Sequence, residues 1–128
     1  MLKLQGRQAR VLKDFKDKVV RELGPRINAI IVYGSAARGE AGEESDIDVL
    51  VVGRDKEIGG KLSEIGYEVD YENSFETFIT PIYYTEEEVE NRIKAGSPFI
   101  HEVLKDRVAL YDDGTFKRIR EKMFKAGR

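Results

Sequence analysis

The order of its segments predicts an α/β chain of the α+β kind, with a central mixed β-sheet flanked by helices. Three observations carry that expectation. Apolar residues fall at helical spacing near the N-terminus, two strand-length apolar runs follow, and helix-like and strand-like stretches then alternate. A strand-turn-helix-strand-helix-strand order implies a sheet with helices packed on it. The 128 residues show no internal repeat, low-complexity tract or linker, so a single domain over 1–128 is expected, large enough for a real core.

The first element spans 5 to 23, where Val11, Leu12, Phe15, Val19 and Leu23 recur at spacings of three and four among charged residues. That is an amphipathic helix, ended by Gly24-Pro25. Ile27 to Tyr33 reads as a buried strand, Gly34 to Gly39 as a turn and short helix, and Glu40 to Glu44 as a polar loop. Ser45 to Val52 is the second strand. Ile58, Leu62, Ile65 and Val69 favour a helix over roughly 55 to 72, weakened at Gly59-Gly60. Ser74 to Tyr84, rich in Phe, Thr, Ile and Tyr, reads as a third strand, and Pro81 within it points to a sheet edge or a bulge. Thr85-Glu86-Glu87-Glu88 has the pattern of a capping box and opens a helix to about Lys94. Ser97-Pro98 opens the next, Val108 to Tyr111 makes a short final strand, and Thr115 to about Lys125 is a basic helix.

Composition narrows the partners. Apolar residues at 41 % and charged residues at 36 % describe a soluble globular protein. No apolar run nears the ~20 residues that cross a bilayer, so no membrane partner is expected. The N-terminus lacks the apolar core of a signal peptide, and cysteine is absent, so a cytoplasmic location without disulfides or thiolate metal sites is expected. The formal net charge of −2 carries no basic footprint for tight non-specific nucleic-acid binding, yet leaves room for a small anionic nucleotide.

The candidate chemistry is concentrated in Ile30 to Gly39 and Ser45 to Val52. Apolar strands normally exclude carboxylates, because an unpaired buried charge is costly. Asp46 and Asp48 nevertheless open the second strand and, two residues apart, project from one face with Cα atoms about 6.6 Å apart. Two such carboxylates repel each other and invite a divalent cation; with oxygen ligands only, Mg²⁺ or Mn²⁺ is the natural guest. Gly34 permits a tight bend and close backbone approach, and Ser35 offers a hydroxyl where helical N–H groups face outward. Arg38, three residues on, presents a planar fork suited to phosphate oxygens.

Gly34, Ser35, Arg38, Gly39, Ser45, Asp46 and Asp48 together resemble the nucleotidyltransferase signature of the DNA polymerase beta superfamily, in its minimal nucleotidyltransferase branch. The match covers residues 30 to 52. The resemblance implies the polymerase beta-type nucleotidyltransferase fold and Mg²⁺-dependent transfer of a nucleoside monophosphate, AMP first, from a triphosphate such as ATP to a hydroxyl, with release of pyrophosphate. It implies that Asp46 and Asp48 are catalytic and hold metal, and that Gly34, Ser35, Arg38 and Ser45 line the nucleotide. Active relatives also use a third carboxylate on a neighbouring strand. The third strand aligns no acid at Thr77 or Phe78, so Glu76 is the candidate.

A different reading is an antitoxin-like or regulatory nucleotide-binding module, since minimal nucleotidyltransferases resemble one half of pairs whose other half is a small helical protein. A homodimer that closes an open site is a further expectation. His101, the one histidine, reads as packing or surface, and no nucleophilic triad is present. Tyr83 and Tyr84 read as strand packing, and the Lys117-Arg118-Arg120-Lys122 cluster as a solvated face.

Overall fold

A computed structural model describes residues 6–40 and 46–126. Four strands form one sheet in the order β3-β2-β1-β4. The strands are β1 (Ile27–Tyr33), β2 (Asp46–Gly53), β3 (Phe78–Thr85) and β4 (Val108–Asp112). The helices are α1 (Gly6–Leu23), α2 (Gly34–Arg38), α3 (Gly59–Glu72), α4 (Glu86–Lys94), α5 (Pro98–Lys105) and α6 (Thr115–Ala126). The strand pair β1–β2 is antiparallel, as is β1–β4, whereas β2–β3 is parallel with α3 as the crossover. The sheet is therefore mixed and the class α+β, as the segment order implies.

Apolar alternation assigns the two faces. Val11, Phe15 and Val19 of α1 and Leu62, Ile65 and Val69 of α3 pack on Ile30, Val32, Ile47, Val49 and Val51. On the other side, Val89, Ile100, Val103, Phe116 and Ile119 from α4, α5 and α6 pack on Ala29, Ile31, Tyr33, Leu50 and Val52. The central strand β1 is buried along its whole length. Successive residues of β1 serve opposite faces, which is why it reads as a continuous apolar run.

Several local signals act as chemistry dictates. Thr85 and Glu88 form the capping box, with Glu88 N–H donating to Thr85 Oγ1 at 3.2 Å and Thr85 N–H to Glu88 Oε1 at 2.9 Å. Pro98 stands at the start of α5 behind an Ser97 cap. Gly39 ends α2 at φ 75°, in the left-handed region. Pro81 lies on β3, which is an edge strand. His101 is exposed on α5, Tyr83 donates to Asp55 O, and Tyr84 lies beneath Arg92 at 4.3 Å from its ring centroid.

Two boundaries differ from expectation. The 55–72 stretch divides into a 3₁₀ turn, Lys56–Ile58, and α3, because Gly59 and Gly60 hold the junction rather than the interior of one helix. The third strand begins at Phe78, not Ser74. Ser74 and Phe75 are left-handed (φ 58° and 53°), and Phe75 N–H donates to Asp70 O at 2.7 Å, so residues 73–77 close a turn on α3. Ser45 and most of the loop before it, 41–45, lie outside the described residues.

Candidate active site at the end of strands β1 and β2

The register of the central hairpin sets the site. Tyr33, the last residue of β1, pairs with Asp48, so the Gly34 corner sits directly across from that carboxylate. Gly34 has φ 73°, and a Cβ built on it would lie 3.1 Å from Asp48 Oδ2. Backbone and carboxylate are therefore close neighbours, and a Cβ here would push the carboxylate back by a few tenths of an ångström. Asp46, exposed, projects from the same face as half-buried Asp48, while Ile47 between them is fully buried on the other.

The electrostatics at this corner are negative. Burial, then Asp46 and Glu102, push the Asp48 carboxyl above its ordinary range. Burial and then Asp48 raise the Tyr33 phenol in the same sense. A donor set of oxygens whose charges disfavour one another fits a hard divalent cation. Among the described residues, no three His, Asp or Glu side chains gather closely enough to hold a metal by themselves. A cation held by this carboxylate pair would take most of its coordination from water or from the oxygens of a ligand.

Arg38, at the end of α2, donates from Nε to Glu40 Oε1 at 3.1 Å and from an η nitrogen to Asp106 Oδ2 at 3.2 Å. The Asp106 bond, followed by Glu40, holds its guanidinium above the ordinary value. The second anchor of α5 is Phe99, whose ring meets Tyr33 edge-on at 5.2 Å. Glu102 lies on the helix between these two anchors and thereby comes under Asp48.

Glu76 does not join the pair. It precedes β3 in the 73–77 turn, and its carboxylate meets Arg7 Nε at 3.0 Å and Arg10 at 3.6 Å on α1. The β3 residues in register with Asp46 and Asp48 are Phe78 and Thr80. Nearer in kind is Asp70, buried on α3, which accepts the Ile79 N–H at 3.0 Å. Burial, opposed by that hydrogen bond and reinforced by Asp46, moves its pKa to about 6. Sequence periodicity puts Asp70 on a helix but gives no sign that it caps β3. Glu102 and Asp106 carry no local signal either, since only the docking of α5 brings them here.

The model of the nucleotidyltransferase domain family matches residues 12–125. The chain belongs to that family. This nucleotidyltransferase is 32% identical over 75 residues, 58% of its own length and 76% of the relative's, to a Methanocaldococcus jannaschii protein provisionally named a protein adenylyltransferase. A second protein of that organism with the same provisional name is 44% identical over 46 residues, 36% of this chain and 46% of the relative. Among solved structures, a toxin–antitoxin complex with AMP-PNP superposes with a TM-score of 0.61 at 16% identity, covering 89% of this chain and 85% of that one. A complex of the tri-AMPylated HEPN toxin of Shewanella oneidensis with an MNT antitoxin gives 0.53 at 12% identity, covering 91% and 85%. At those identities the structural likeness concerns the fold, which is the polymerase beta-type nucleotidyltransferase fold that residues 30–52 resemble. None of the helices described in the nucleotidyltransferase is long and apolar enough to cross a membrane.

Proposed function

We propose that this nucleotidyltransferase moves AMP from ATP to a hydroxyl of another protein, with Mg²⁺ or Mn²⁺ held by Asp46 and Asp48. The observation that carries the reading is the contact of the Asp48 carboxylate with the Gly34 corner, 3.1 Å from the position of a Cβ. That contact supports a cation at the acid pair beside a bend suited to an anion. The provisional names of the two archaeal relatives support a protein acceptor and an adenylyl donor.

In the reaction, the acceptor oxygen attacks the α-phosphorus of ATP, the bond to the bridging oxygen of the β-phosphate breaks, pyrophosphate leaves, and the hydroxyl proton passes to solvent. Asp46 and Asp48 would hold the divalent cation, which would supply charge neutralisation for the transfer. Backbone amides at Gly34 and Ser35 face the β- and γ-phosphates. Arg38 exchanges a carboxylate for the leaving pyrophosphate, a use for which its planar fork is suited. Glu76 is left out of this scheme, because its carboxylate is engaged by Arg7 and Arg10.

The test is incubation with α-labelled ATP, Mg²⁺ and candidate protein acceptors, beside Asp46→Ala and Asp48→Ala. Label transfer and pyrophosphate release are expected from the unaltered chain, with a drop of ~10²-fold or more in either variant. Failure of all four nucleoside triphosphates to bind or to release pyrophosphate overturns the reading. A second reading, a cytoplasmic antitoxin-like or regulatory partner of a small helical protein with weak turnover alone, draws support from Phe78 and Thr80 standing opposite the acid pair. It expects ATP binding without pyrophosphate release until that partner is added.

A further inference from the structure

We infer that the exposed aromatic patch of Tyr67, Tyr71, Phe75 and Phe78 is the docking surface for the acceptor protein, which presents a segment with an apolar centre and basic flanks. This rests on the transfer reading above. The four side chains are 63%, 66%, 38% and 49% exposed, an unusual display for large apolar residues, and they touch one another. Phe75 lies 5.5 Å from Tyr67, 6.0 Å from Tyr71 and 6.3 Å from Phe78, ring centre to ring centre.

The backbone is bent to make this patch. Ser74 and Phe75 both adopt φ above +50°, a conformation that side chains bearing a Cβ avoid. The turn they form lifts the Phe75 ring between α3 and the start of β3. Strain of this kind persists where surrounding structure enforces it, and clusters at functional surfaces.

Position decides what the patch serves. Phe78 pairs with Asp46 on the edge strand β3, on one side of β2, while the Gly34 corner lies across β2 on β1. In-line displacement at phosphorus places the attacking and leaving oxygens on opposite sides. With pyrophosphate at the Gly34 corner, the acceptor hydroxyl approaches over β3, past Phe78. A small hydrophilic acceptor gains nothing from four rings, whereas aromatic clusters anchor protein interfaces.

Charge completes the description of the partner. Glu68 and Glu72 on the same helix share one lysine, Lys18, at 2.6 and 3.5 Å. Glu64 shares Lys61 with Glu22, at 3.6 and 3.2 Å. In the groove beside Tyr67 and Tyr71 two carboxylates, Glu68 and Glu72, stand with one cation, Lys18, so lysine or arginine flanks complement that rim.

The probe is a dodecapeptide with a Leu-Tyr-Leu centre and lysine flanks, compared with a glutamate-flanked twin, titrated into the ¹⁵N-labelled full chain with Mn²⁺-free ATP buffer. Amide shifts confined to residues 64–80, at least tenfold weaker binding of the twin, and at least tenfold loss in Phe75→Ser/Phe78→Ser with melting temperature and Mn²⁺·ATP affinity retained are expected. Should that variant lose its fold, Tyr67→Ser/Tyr71→Ser on the helix surface takes its place. Binding elsewhere or none at all, or equal binding of both peptides, overturns the inference. So does loss of Mn²⁺·ATP affinity in the variant, which gives the rings to the base. Self-association that the variant abolishes gives them to a second copy and overturns it equally. Docking at the patch by a chain that never transfers label upholds the surface and overturns the transfer reading alone.

Discussion

Replacing Gly34 with alanine asks whether the bent corner and the acid pair are one site. Two costs are readable at this position. The φ of 73° is left-handed, which costs a residue with a Cβ about 1–2 kcal/mol. The new methyl also stands 3.1 Å from Asp48 Oδ2, so the carboxylate must withdraw by a few tenths of an ångström. Gly96 provides the matched control, with the same φ of 73° and nothing within 4 Å of a Cβ.

Both variants are expected to lose about 1–2 kcal/mol in urea unfolding at pH 7.5 or thereabouts. Only Gly34→Ala is expected to lose function, because misplacement of a catalytic group by up to an ångström costs on the order of 10²-fold. The assay pairs Mn²⁺·ATP affinity with label transfer for the two variants. If Gly34→Ala and Gly96→Ala retain the same affinity and rate, the contact between corner and carboxylate has no functional meaning and the site is wrongly drawn.

Asp48→Asn removes a charge that burial and Asp46 both disfavour, so the metal-free protein is expected to melt at a higher temperature while Mn²⁺·ATP binding is lost; a lower melting point refutes the first half. Asp70 is raised from 3.8 to about 6, so the folded state binds a proton more tightly than the unfolded one. Its contribution is present below pH ~4 and lost as pH rises through about 6, on the order of 3 kcal/mol, and Asp70→Asn should flatten that limb of a urea-stability profile. Asp106→Asn releases one carboxylate from Arg38 and is expected to tighten ATP binding about two- to fivefold in a calorimetric titration. Thr85→Ala removes the hydroxyl half of the α4 capping box and is expected to cost about 1 kcal/mol in the same urea assay, with ATP binding unchanged.

The sheet and its helices are largely legible in the sequence, for reasons visible at single residues. Ile27 to Tyr33 is apolar throughout because both its faces are covered, and the 3.6-residue repeat of Val11, Phe15 and Val19 marks the helix that covers one of them. Caps at Thr85 and Ser97 and the left-handed stop at Gly39 are short-range devices, so short-range reading finds them. The start of β3 is different. Ser74, Phe75 and Thr77 have strand-like chemistry, yet hydrogen bonds back to α3 at Val69, Asp70 and Tyr71 draw residues 73–75 into a turn. Tertiary contact there overrides β-propensity.

That one shift of boundary governs how the third acid must be regarded. Counted as a strand residue, Glu76 shares a face with Phe78 and points toward the acid pair; the turn over residues 73–77 instead hands it to Arg7 and Arg10 on α1. The edge strand then meets Asp46 and Asp48 with Phe78 and Thr80, neither of which ionises in the working range or ligates a hard cation strongly. The carboxylates that act on the pair electrostatically come from helices: Glu102 of α5 disfavours charge on Asp48, and Asp46 does the same to Asp70 of α3, which lies on the other face of the sheet and accepts from Ile79 N–H. Neither is visible from strand patterning, since each depends on how a helix is laid against the sheet. Among the described residues, the edge strand sets no carboxylate beside Asp46 and Asp48 that could serve the proposed reaction as a base. In the proposed reaction such a site would act by holding the acceptor still more than by activating it, the service proposed above for the aromatic surface at Phe78.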